Sequence, residues 1–242
     1  MIKDYFSKAL HHWKVLLKDR AFVWSLIIGF LMIGGAIVAG SIVSVYLDAN
    51  TYVSVGDAIL DNIPTYDLTY LFYWGPLILI TMMVLYGMLF EPEAVPFALK
   101  TYGLLIIIRC GFIVLTHIGP PFGYFFTYGF NYNGDFWSNI VFKNDLFFSA
   151  HTAIPFLAFL LFRKSNLFRG LMLVGSIVMG ITVLLMHVHY SIDVFGAFFI
   201  TYGIYAFSNE IFNKLNLRFK QKLELYGWEA IKQRIKINKP KI

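Results

Sequence analysis

Charged side chains are scarce in this chain: Asp, Glu, Lys and Arg make up 14% of its 242 residues, where a soluble domain carries about a quarter. With hydrophobic residues at 58%, that scarcity excludes a globular protein bathed in water on all sides. Cysteine is nearly missing. Cys110 stands alone, which excludes an intramolecular disulfide, and its place in an apolar run reads as a small packing residue. No internal repeat and no low-complexity tract interrupts the sequence, so the pattern is that of one bundle and not of a duplicated transporter. The net charge of +6 comes mostly from Lys and Arg at the two ends and in one connection, which suits an anionic membrane surface. A nucleic-acid partner is not expected.

What the chain has in abundance is long apolar runs. Crossing a bilayer takes about 20 helical residues, and suitable runs fall near 21–47, 67–90, 100–118, 146–162, 168–187 and 191–212. The expectation is an all-α, polytopic membrane protein with a six-helix bundle, the fourth span being the shortest and the one opened by polar Ser149, His151 and Thr152. Apart from Arg109 within a span and Lys143 in an opposite connection, the basic residues fall in alternate connections: the N-terminus, Lys100, the 163–169 connection and the segment after Ile211. By the positive-inside tendency these lie on the cytoplasmic side, which puts both termini inside. The chain divides into an amphipathic segment 1–20, a membrane domain 21–212 and a basic tail 213–242. The first segment carries Phe6, Leu10, Trp13 and Leu17 among Lys8, Lys14 and Lys18, as an interfacial helix or a plain topology anchor would. The tail reads as a second interfacial helix or a partly disordered extension. No cleaved leader is expected, since the first apolar run is too long for a signal-peptide core. The connection 119–145, dense in aromatics and glycine, suits a loop hugging the interface over a site.

Ionisable side chains at membrane depth are costly and usually functional. Here they are Arg109, His117, Asp145, His151, His187, His189 and Asp193. In the six-span reading, all but Arg109 fall at the ends of spans three to six on the non-cytoplasmic side, where a pocket can form. His189 and Asp193 are four apart, so a carboxylate can accept the imidazole N–H and raise the basicity of the other ring nitrogen. His151, opening span four, is the complementary titratable group. The 38 residues from His151 to His189 suffice for one span down, a short basic loop and one span back. His187, two residues from His189, is expected to face away as a bystander.

The segments NDLFFSAHT and HVHYSIDVFGAFF resemble the two catalytic segments of the sphingomyelin synthase family, related in turn to type 2 phosphatidic acid phosphatases. Asp145, Phe148, Ser149, His151 and Thr152 match a motif of the form GDYxFSGHT, and His189, Tyr190, Asp193, Val194 and Ala197 match HYTxDVxxAYY. Asn144, Leu146 and Ala150 depart from the first motif and leave the acid and base candidates intact. Arg109, Thr116, Pro120 and Pro121 look similar to a weaker third motif. The typical phosphatase signature carries an Arg six before the last His, where this chain has Val183. Loss of that phosphate grip favours the synthase branch, whose substrates are phosphodiesters, over a phosphatase holding a dianionic monoester.

The resemblance implies a headgroup phosphotransferase with its site on the extracytoplasmic or lumenal side. His189, oriented by Asp193, would attack the phosphorus of a phospholipid donor, and His151 would protonate the departing oxygen. A ceramide-like alcohol or another acceptor, or water, would resolve the phosphohistidine. Asp145, Arg109, Ser149 and Tyr190 are the supporting candidates. Asp145 would orient His151 or cap a helix, Arg109 would neutralise phosphoryl oxygens or form a structural ion pair, and the two hydroxyls would contact substrate or finish helix ends. No cofactor or metal is called for: His151, His189 and Asp193 are competent zinc ligands but lack a recognised spacing, and a Ser149 nucleophile sits too close to His151 in sequence to pair with it on one helix. The rivals are a lipid phosphatase or phospholipase C-type hydrolase with the same triad, and a non-enzymatic transporter or scramblase. Expected partners are membrane lipids and, as an open case, a second copy of the chain.

Overall fold

The structure is a computed structural model that describes residues 2–48, 53–116, 118–125 and 146–237. The described residues form seven α-helices: α1 (Ile2–Leu17), α2 (Arg20–Asp48), α3 (Thr69–Phe90), α4 (Val95–Thr116), α5 (Ala150–Leu161), α6 (Asn166–Leu185) and α7 (Ser191–Ile237). Short 3-10 turns at Leu60–Asn62 and Pro92–Ala94 lie between them, and an isolated parallel bridge joins Val53 to Ile118. In hydrocarbon only a helix or a closed barrel satisfies its own backbone, and the apolar runs have taken the helical solution. The protein is an integral membrane protein.

Among the described residues five helices are long and apolar enough to cross a membrane: α2, α3, α4 with the turn before it, α6, and α7 as far as Phe212. The run expected as the fourth span yields only the 12 residues of α5, about 18 Å of helix against a hydrocarbon core of about 30 Å. The cause lies in its first residues. Ser149 is extended at φ −60° and ψ 116°; its N–H donates to the Asp193 carbonyl at 3.1 Å, and the Phe148 carbonyl accepts from Arg109 Nε at 2.7 Å. Backbone groups that would have extended the helix are spent on tertiary bonds. At the other end Phe162 is again extended. The short helix survives because it is wrapped: Ala153, Leu157 and Ala158 are fully buried, in a core shared with α4, α6 and α7.

Close helix contacts depend on small residues, as is usual where lipid offers no hydrophobic drive between helices. A Cβ at Gly103 of α4 would stand 3.0 Å from the Met32 backbone carbonyl carbon of α2, and one at Gly29 would stand 2.8 Å from Leu99 Cβ. The two glycines let α2 and α4 lie against each other along their lengths.

At the end of the bundle where α1 meets α2, α7 continues past the apolar run without a break, for 47 residues in all. Phe219 of this extension is buried with Leu16 and Phe22, and Lys222 Nζ donates to Asp19 Oδ2 at 2.8 Å. That hydrogen bond holds the Asp19 carboxyl below its usual range. Of the two expectations for the tail, a helix is what the described residues adopt.

Candidate active site

The site is built where α6 turns into α7. Helix α6 ends in a Schellman pattern: Val188 N–H donates to Val183 O and His187 N–H to Leu184 O, each at 2.9 Å. His187 fills the left-handed position at φ 51°, one that glycine usually takes and that His tolerates better than most residues. Its Nδ1 lies 3.0 Å from the Phe122 carbonyl, so this histidine closes a helix and holds the 118–125 segment. It occupies the turn and not a helix face, which corrects the reason for expecting a bystander.

Helix α7 starts with a variant of the capping box. Asp193, three residues into the helix, reaches back so that its Oδ2 accepts the Tyr190 N–H at 3.0 Å. The same oxygen lies 3.4 Å from His189 Nδ1, a long hydrogen bond. The first-turn position also favours the carboxylate through the helix dipole. His189 and Asp193 are 3% and 1% exposed. With Nδ1 turned to Asp193, Nε2 is the nitrogen left for chemistry.

His151, second residue of α5, stacks on Phe72 of α3 with centroids 4.3 Å apart and planes 25° from parallel. Its ring lies 6.5 Å from that of His189, centroid to centroid, with planes inclined at 64°. A phosphoryl group with an attacking nitrogen and a proton donor each about 3 Å from the reacting atoms needs two rings at roughly this separation. Arg109 of α4 is buried, anchors on Phe148 O as described, and acts electrostatically on His151. Four helices thus contribute: α4 an arginine, α5 one histidine, α6 the turn that carries the other, and α7 the carboxylate.

The remaining candidates divide. Ser149 is fully buried, its backbone is tied to Asp193, and its Oγ has no hydrogen-bond partner among the described residues. Tyr190 does structural duty: its hydroxyl donates to Gly119 O at 2.8 Å and accepts from Val55 N–H at 3.1 Å. Burial is the main cause that raises its pKa. Asp145, His117 and most of the aromatic connection lie outside the described residues. Val183, where the phosphatase signature has an arginine, is fully buried. Among the described residues no group of three His, Cys, Asp or Glu could hold a metal ion.

Three features escaped the reading of the sequence. Phe72, one of 25 phenylalanines, carried no signal for its stack on His151. Asp57 accepts both the N–H and the hydroxyl of Ser191 at 2.7 Å, clasping the 53–68 segment over the start of α7. Burial pushes its pKa up, but the bonds from Ser191, Leu60 and Ile59 outweigh that and hold the carboxyl below the usual range. Gly180 of α6 is the third: a Cβ there would stand 3.0 Å from Val194 Cγ1 and 3.3 Å from Thr152 Oγ1, so its smallness lets the His151 and Asp193 helices close on one another.

A bundle of apolar helices with a buried His189–Asp193 pair and a half-buried His151 at one end defines a membrane protein equipped for acid–base or nucleophilic chemistry. Residues 144–210 match the family model described as PAP2 superfamily C-terminal. That match, roughly a quarter of the chain, takes in His151, His189 and Asp193. It relates the chain to the type 2 phosphatidic acid phosphatase superfamily, whose members are phosphatases and phosphotransferases. It does not extend to the sphingomyelin synthase branch. No curated protein matches the chain.

Proposed function

We propose that this protein is a lipid headgroup phosphotransferase of the membrane, moving a phospho-headgroup from a glycerophospholipid to a ceramide-like or other alcohol. The observation that carries the reading is the approach of His151 to a His189 whose Nδ1 faces a buried carboxylate. His189 Nε2 attacks phosphorus, the P–O bond to diacylglycerol breaks, and His151 in its protonated form gives its proton to the departing oxygen. Asp193 fixes the tautomer and stabilises the charge that develops on His189. In the second half, neutral His151 takes the proton of the acceptor hydroxyl as its oxygen displaces His189 from phosphorus. Arg109 balances negative charge on the phosphoryl oxygens, and Ser149 Oγ has a donor to offer them.

The reading includes a sixth crossing, made by α5 together with the segment leading into it, both termini on the cytoplasmic side, and a site that opens to the extracytoplasmic or lumenal face. The distribution of Lys and Arg supports that orientation. The superfamily relation also supports a second reading, in which water takes the acceptor's place and the protein is a lipid phosphatase or phospholipase C-type hydrolase.

Lipid-product mass spectrometry tests both. Purified protein in bilayers receives phosphatidylcholine, phosphatidylethanolamine or phosphatidic acid, with and without ceramide, wild type beside His189→Ala. A new phospholipid that requires both ceramide and His189 is the expected result. Diacylglycerol or phosphate released without ceramide assigns the hydrolase, and no His189-dependent product from any donor overturns both readings.

A further inference from the structure

At the other end of the bundle lies a second polar site that the proposed chemistry does not use. The turn between α3 and α4, the α5–α6 connection and the extension of α7 enclose a cavity of about 410 Å³, within the range of small-ligand pockets. Glu93, 4% exposed, lines it together with Arg163, Lys164 and Lys220. Lys164 forms an ion pair with Glu93 Oε1. The other oxygen, Oε2, is buried and has no hydrogen-bond partner among the described residues. A buried acceptor left unmet is destabilising, the more so if charged, so it marks a place where a donor belongs. Arg163 and Lys220 are exposed at the cavity and offer cationic donors. Phe97 and Leu217 supply apolar wall.

A ligand that satisfies all three features carries a hydrogen-bonding cation, an anion a few bonds away, and an apolar body. We propose that this cavity holds the headgroup of an aminophospholipid, its primary ammonium on Glu93 Oε2 and its phosphate between Arg163 and Lys220. A quaternary ammonium has no N–H to give Glu93, and a glycerol headgroup has no cation. The site therefore discriminates among lipids by hydrogen bonding as well as by charge. It is separate from the histidine site and does not depend on what reaction occurs there.

The test uses the full chain carrying His189→Ala, so that turnover plays no part, in nanodiscs containing equal amounts of phosphatidylethanolamine, phosphatidylcholine and phosphatidylglycerol. Native mass spectrometry reads the lipids retained. The expected result is retention of phosphatidylethanolamine about tenfold above the other two, as one charge-assisted hydrogen bond implies, and loss of that preference in Glu93→Gln. Lys220→Glu, a change at an exposed position, keeps the test decisive should Glu93→Gln fail to fold: it is expected to lower retention of phosphatidylethanolamine and phosphatidylglycerol together. Equal retention of the three lipids, or a preference unchanged in both variants, overturns the proposal. So does thermal stabilisation by soluble O-phosphoethanolamine without any lipid preference, which would assign the cavity to a free metabolite.

Discussion

The two ends of this bundle handle buried polarity in opposite ways. At the histidine end the ionisable groups face one another across a gap: two imidazoles 6.5 Å apart and a carboxylate whose contacting oxygen is divided between His189 and the Tyr190 N–H. At the basic end two carboxylates already carry ion pairs, Glu93 with Lys164 and Asp19 with Lys222. An arrangement that leaves titratable nitrogens apart and oriented can move protons and form bonds. One that pairs its charges in the ground state can recognise and hold, but has little left to give a transition state. The same helices run between the ends, so the contrast comes from the connections and not from the spans.

The largest expected effects break the histidine end. His189→Ala should abolish detectable transfer, and His151→Ala should lower turnover by about 10²–10⁴-fold, the usual contribution of a positioned acid–base group. Both proteins should remain folded by size-exclusion chromatography. Turnover within a few-fold of wild type in His151→Ala would assign its proton transfers to another group. Next comes Gly180→Leu, which drives a side chain between Thr152 and Val194 and should cost about 1–3 kcal/mol by overpacking. Gly103→Leu meets the Met32 backbone and should cost as much without touching the site. Thermal unfolding in detergent beside product yield separates them: equal stability losses with activity lost selectively in Gly180→Leu are expected.

Tyr190→Phe sharpens the assignment of this tyrosine to structure. It leaves the Gly119 carbonyl and the Val55 N–H without their partner and should destabilise by about 1–3 kcal/mol, while a chemical role would instead appear as lost turnover at constant stability. The smallest effect concerns Asp57. Because its folded-state pKa lies below the ordinary carboxyl value, its contribution to stability is fully present above that ordinary value and is lost as pH falls through the folded one. Asp57→Asn should therefore lie below wild type in melting temperature at pH 6 and converge with it as pH falls below the ordinary carboxyl range. A difference independent of pH would contradict the clasp.

The helical scaffold was legible in the sequence because an uninterrupted apolar run in lipid has few alternatives. Span boundaries came within a few residues for α2 and α3. The fourth run gave a shorter helix than its hydropathy suggested because hydropathy records side chains and not what the backbone bonds to: Phe148 and Ser149 are apolar or small enough to extend a helix, yet their carbonyl and N–H are taken by Arg109 and Asp193. The tail's helical continuation was only one of two expectations, since Phe219 and Lys222 reveal their role only through Leu16, Phe22 and Asp19 some 200 residues earlier in the chain. At the site, His189 and Asp193 were readable from their four-residue spacing, a local relation. Phe72, Asp57 and Gly180 act through partners on other helices or loops, and nothing local sets them apart. Glu93 was passed over because an acidic residue at a helix boundary ordinarily reads as solvated.

The central claim is that His189 becomes covalently bonded to phosphorus. Rapid acid-free quenching of the purified protein with a headgroup-labelled phospholipid, followed by peptide mapping under mildly alkaline conditions that preserve phosphohistidine, tests it directly. The account predicts a labelled adduct on the peptide containing His189, formed within a turnover and missing from His189→Ala. Product formation at the wild-type rate with no adduct at His189, or with the label on another residue, would contradict it.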